Sequence, residues 1–243
     1  MNYLGHYVYN HAICRLEPQP YFVVGVALPD LWPRFSRKRR IRWQAVREAT
    51  VSDPQARRLR DGLLNHVAVD QRFHALPSFL RWQRELKARV VGRTPHPVLM
   101  DFLAHLVLEL VLDHRLICAD SQVGEDIYDH IALCDPEVVE QRMGALGNVD
   151  ARGLAQEIQD FVRERYLPRF ARRDTLIRVV DSVLSLTKLR TIPSKSVVRE
   201  LLDTAQGMVE PQIVWAEMGA REPEAVRRPH GSLANAPAKG PAV

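Results

Sequence analysis

The chain has 243 residues, 46% hydrophobic and 26% charged, with a formal net charge of +5. Those proportions belong to an ordinary globular chain with enough apolar material for a core. The longest apolar stretch, 97–118, carries Asp101, His105, Glu109, Asp113 and His114. So many ionisable groups exclude a lipid-spanning helix.

Three scattered cysteines, Cys14, Cys118 and Cys134, form no CxxC, so neither a disulfide framework nor a thiolate zinc site is indicated. The start, Met-Asn-Tyr-Leu-Gly-His, lacks the basic flank and apolar core of a signal peptide. A reduced, cytoplasmic setting is expected.

In chain order, apolar spacings of three and four predict helices over roughly 2–14, 41–49, 54–75, 77–90, 97–118, 122–133, 136–145, 150–165, 173–189 and 195–218. Tyr21 to Ala27 is the only run with marked β-branched content. Helix starts are legible where a proline follows a capping residue, as at Ser52-Asp53-Pro54 and Asp135-Pro136. The expected fold is all-α: a compact multi-helix bundle, one domain over 1–220, with a metal site between helices. Residues 221–243 have too few large apolar side chains to offset ordering entropy and are expected to be a disordered tail.

The run from Arg34 to Trp43 is the densest in charge. It reads either as a solvated loop and helix start or as a docking patch in which Arg37, Arg39 and Arg40 meet an acidic or phosphorylated partner. Without a nucleic-acid-binding signature, nucleic acid is not the expected partner.

Four pieces of sequence carry chemistry. His6 lies on a short amphipathic N-terminal helix, and Asp30 follows a proline among apolar residues. His66, Asp70 and His74 are spaced by four, as are His105, Glu109 and Asp113, so each trio lines one face of a helix. A buried carboxylate or imidazole without a partner is costly, whereas one divalent cation neutralises several at once. Mixed imidazole and carboxylate donors suit manganese, zinc or iron, and facing helices with such rows can build a site in a bundle. His6, Asp30, His66, Asp70, His105 and Glu109 are the expected ligands, with His74 either a ligand or a general acid. His11 and His114 read as surface or helix-edge residues and His96 as loop, while His130 and His230 lack a carboxylate pattern. Two other readings fit the same residues: a partner-binding module with a structural metal, and ion pairs between the rows and arginines such as Arg72 and Arg115.

The opening Met-Asn-Tyr-Leu-Gly-His, the Gly25-to-Leu31 segment Gly-x-x-x-Pro-Asp-Leu, and Gly-x-x-x-His-x-x-x-Asp-x-x-x-His-x-Leu-Pro over Gly62 to Pro77 resemble acyl carrier protein phosphodiesterase. That family is an all-helical relative of the HD-domain phosphohydrolases. The resemblance implies a manganese-type centre held by His6, Asp30, His66 and Asp70, and a phosphoester substrate on an acidic carrier protein. The chain departs from the family at Val67, where arginine is usual, at His74, where aspartate is usual, and at His105 and Glu109, which replace an Asp-His pair. In order, Asp30, His66, Asp70, His74, His105 and Glu109 also resemble the ligand pattern of zinc-dependent phospholipase C, although no histidine lies between Asp30 and His66. Both resemblances imply a metal-dependent phosphodiesterase, and Asp70 and His74 are the residues expected to take part in catalysis.

Overall fold

The computed structural model describes residues 1–90, 97–185 and 193–219. Among these, twelve α-helices and no strand are found. The expected tail, His96 and His230 lie outside the described residues, as does the end of the helix expected over 173–189.

Helix α1 (Tyr3–Val8) runs into a π-helical turn, Tyr9–Ile13. α2 (Pro20–Phe35), α3 (Trp43–Glu48), α4 (Pro54–His74), α5 (Pro77–Val90) and α6 (Pro97–Ala119) follow. The remainder comprises α7 (Gln122–Ala132), α8 (Pro136–Leu146), α9 (Leu154–Glu164), a 3-10 turn at Leu167–Ala171, α10 (Arg173–Ser185), α11 (Lys195–Met208) and α12 (Pro211–Glu217). Side chains close the expected starts: Asp53 Oδ2 accepts from the Ala56 amide at 2.8 Å, and Asp135 Oδ1 from the Glu137 amide at 2.9 Å. Each supplies an acceptor to a first-turn amide that has no helical partner.

The structure differs from the expected helices at two places. The β-branched run at Tyr21 to Ala27 is helical and forms the first half of α2. Pro20 supplies the fixed φ of a first helical turn, and burial of Val23, Val24 and Val26 outweighs their weak helix preference. The helix expected over 195–218 is two. Pro211 lacks the amide to continue it and disfavours helical backbone just before it, so Val209 and Glu210 are extended and α12 starts afresh.

α6 forms the axis of the bundle and packs against α1, α5, α7 and α11. Leu103, Val107, Val111 and Leu112 are fully buried on it, each contributing about 1.5–3 kcal/mol of transfer free energy. Beside it, α2 and α4 cross backbone to backbone. A Cβ on Gly25 would lie 2.3 Å from the Leu59 carbonyl oxygen, and one on Gly62 would lie 2.3 Å from that of Phe22. Only glycine permits this approach, and it brings Asp30 of α2 level with His66 of α4. Among the described residues no helix is long and apolar enough to cross a membrane.

Candidate metal centre

α1, α2, α4 and α6 each bring acidic or imidazole side chains to one place. His6 is fully buried, and its ring stacks on that of His66 with centroids 4.1 Å apart. His6 Nε2 lies 3.9 Å from Asp70 Oδ1, and His66 Nε2 lies 3.9 Å from Asp30 Oδ1. One ligand atom from each of His6, His66 and Asp70 falls within 4.8 Å of the others. The same holds for His74, His105 and Glu109. His74 joins the two groups, with Nδ1 3.2 Å from Asp70 Oδ2 and Nε2 3.0 Å from Glu109 Oε1. His105 Nε2 lies 3.1 Å from Glu109 Oε1. All seven expected residues are thus gathered, Asp30 beside the first group rather than within it.

The ring of His66 is fixed from behind. Its Nδ1 is 2.8 Å from the Val26 carbonyl oxygen, a contact that requires the proton on Nδ1 and leaves the Nε2 lone pair facing Asp30. An outer partner of this kind sets the tautomer and aim of a metal-ligating histidine. His6 has no such partner: neither ring nitrogen is hydrogen-bonded, and Asp30 Oδ2 is likewise unpaired. Each such group, removed from water and left unpaired, costs about 1–3 kcal/mol. Three orphaned polar atoms at one spot point to something that completes them.

Protonation fits a cation. Burial, reinforced by His66 and the Met1 ammonium, holds His6 well below its ordinary value. Burial brings His66 down to about 4. Both rings are therefore neutral near pH 7. For Asp70, burial pushes upward, but the His74 hydrogen bond and the Met1 ammonium outweigh it and keep the carboxyl ionised. Glu109 is also raised by burial, but the ammonium, His105 and His74 hold it well below the carboxylate range. Burial raises Asp30 well above that range, and the ammonium only partly offsets it. His74 runs the other way. Burial lowers it, yet hydrogen bonds to Asp70 and Glu109 leave it raised.

The sequence gives no sign of one participant. The amino group of Met1 donates to Asp70 Oδ1 and Glu109 Oε1, each at 2.6 Å. Burial lowers its pKa, but the two carboxylates outweigh that and keep it protonated. Asp113, the last residue of the α6 row, accepts from the backbone amides of Gly5 at 2.9 Å and Leu4 at 3.4 Å. The expected ion pairs with arginine do not form among the described residues: Arg72 donates to the Tyr9 hydroxyl and Arg115 to the Gln206 carbonyl.

Outside the centre, His11 and His114 bond to the carbonyls of Leu16 and Phe170. His130 lies within hydrogen-bonding distance of the Asp126 carbonyl and the Tyr7 hydroxyl. In the basic run, Arg39 covers the Phe35 ring and donates to the Arg152 carbonyl at 2.9 Å. Its role is at least partly internal, whereas Arg37 and Arg40 are exposed.

Fold and site define an all-helical protein with two histidine–carboxylate groups able to hold metal ions. Comparison with protein-family models, curated proteins and solved structures returned no match.

Proposed function

We propose that the protein is a metal-dependent phosphoester hydrolase of the phosphodiesterase kind. His6, His66 and Asp70, with Asp30 beside them, would hold manganese, zinc or iron, and His105 and Glu109 would serve a second ion. The observation that carries this reading is the buried, stacked His6–His66 pair beside an ionised Asp70, with both His6 nitrogens unpaired. Neutral imidazoles and a carboxylate are the donor set such ions take. The phosphoester class is supported by the resemblance of the Gly62-to-Pro77 motif to acyl carrier protein phosphodiesterase, which makes an acidic carrier protein a candidate substrate.

A divalent cation at this place would acidify water and stabilise charge on a phosphoryl oxygen. The protein's own groups supply the remainder. His74, bonded through both nitrogens to carboxylates, holds a proton at a position suited to a leaving oxygen, the task of a general acid. Asp70 and Glu109 orient that ring and keep it charged.

The test is hydrolysis of bis-p-nitrophenyl phosphate. Turnover that a chelator abolishes and manganese, zinc or iron restores, and that Asp70→Ala lacks, is expected. Wild-type turnover by Asp70→Ala would contradict the assignment. One observation favours a second reading, a non-enzymatic protein in which these residues are held by ion pairs and no metal is bound. The Met1 ammonium already neutralises Asp70 and Glu109, and under that reading chelator leaves both stability and partner binding unchanged.

A further inference from the structure

His6 is the least supported ligand by its side chain and the most constrained by its backbone. Its ring makes no hydrogen bond, so the direction of its nitrogens depends on where α1 places the Cα and on the stacking against His66. α1 does not cap itself, since the Asn2 side chain makes no cap bond. The amides of Leu4 and Gly5 are taken instead by Asp113, fully buried on α6 one turn beyond Glu109. On the other side of His6, Asn10 in the π-helical turn is 1% exposed, and its Nδ2 donates to the His6 carbonyl at 3.0 Å. The residue is therefore gripped by a buried carboxylate before it and a buried amide after it.

We propose that Asp113 and Asn10 are positioning residues of the metal centre, holding the backbone on both sides of His6 so that its unbonded ring faces His66 and Asp70. This rests on the metal-binding reading above. It also explains why a buried acid completes the α6 row without approaching the imidazoles. Of the three residues spaced by four, His105 and Glu109 face the centre, while Asp113 anchors the helix that delivers His6. A carboxylate in an apolar core is costly unless its lone pairs are used, and here two backbone amides use them. Outer partners of this sort change metal affinity when removed, even though they touch no metal.

The experiment is titration of the full chain with Mn²⁺ and Zn²⁺ by calorimetry or against a chromophoric chelator, alongside thermal unfolding of the metal-free proteins. Asp113→Asn keeps the shape and one acceptor while losing the charge, and should weaken the tighter ion by about 10–100-fold. Asn10→Ala should weaken it in the same direction by less. In a His6→Ala background, neither substitution should weaken binding further, because the ligand they aim is gone. Lowered thermal stability with wild-type affinity in both variants would make the contacts a structural brace alone and overturn the proposal while leaving the metal centre standing. If Asp113→Asn is not helical by circular dichroism, Asn10→Ala decides. Wild-type protein that binds neither ion would overturn the metal reading itself, and this inference with it.

Discussion

The two histidine–carboxylate groups use the same residue types and differ in how those residues are satisfied. In the first, His6 and His66 are buried and neutral, and both His6 nitrogens are unpaired. In the second, His74 is partly exposed and bonded at both nitrogens, and Glu109 meets His74, His105 and the Met1 ammonium together. The first group leaves both His6 nitrogens unpaired, whereas each residue of the second has a partner. A cation entering the first meets free lone pairs on His6 and has to displace the Met1 ammonium only from Asp70. At the second it must displace the same ammonium from Glu109, whose Oε1 also meets His74 and His105. The first should therefore fill at lower metal concentration than the second.

The largest expected effect breaks both groups at once. Asp70 contacts His74, the Met1 ammonium and, at longer range, His6, so Asp70→Ala should abolish metal binding and turnover while helical circular dichroism is retained. Calorimetry and the phosphodiester assay read the two losses. His74→Gln separates proton donation from metal binding. A lost general acid costs roughly 10²–10⁴-fold in rate, so kcat should fall by that order on substrates with an alkoxide leaving group and far less on p-nitrophenyl esters, whose leaving group needs no proton. An equal fall on both substrates would assign His74 to ligation.

The pH dependence of metal-free protein sharpens the contrast further. His66 titrates near 4 when folded, and His6 is also held low, whereas both would titrate near 6.5 in the unfolded chain. The unfolded state binds more protons between those limits, so stability falls as pH drops from about 6.5 towards 4, with His66 alone contributing on the order of 3 kcal/mol. His74 has the opposite sign. Its raised value adds stability that is complete below about 6.5 and lost as pH rises through its folded value. Urea unfolding should thus show His66→Gln flattening the acid limb and His74→Gln removing a loss on the alkaline side. The smallest effect belongs to the basic run. Arg39→Ala exchanges exposed contacts and should cost under about 1 kcal/mol, with metal affinity unchanged.

The helical bundle and the rows at 66–74 and 105–113 were legible because spacing by four places residues on one face regardless of tertiary detail. Asp30 was legible as an acid among apolar residues, but its helix was not. Tyr21 to Ala27 reads as strand-like until the Gly25–Gly62 crossing is known, and that crossing depends on two backbones meeting rather than on any local pattern. The Val26 carbonyl and the Met1 amine carry no side-chain signature, so nothing in their residue types marks them. Asp113 matched the ligand spacing yet serves α1. Spacing fixes a face of the helix, while the neighbouring helix decides what that face meets.

The central claim, that the His6–His66–Asp70 group exists to hold a cation, is tested most directly by elemental analysis of protein purified without added metal, with Asp70→Ala prepared in parallel. Stoichiometric manganese, iron or zinc in the wild type and its absence from the variant is the expected result. Wild-type protein free of metal, and unchanged in stability after reconstitution with each of those ions, would contradict it.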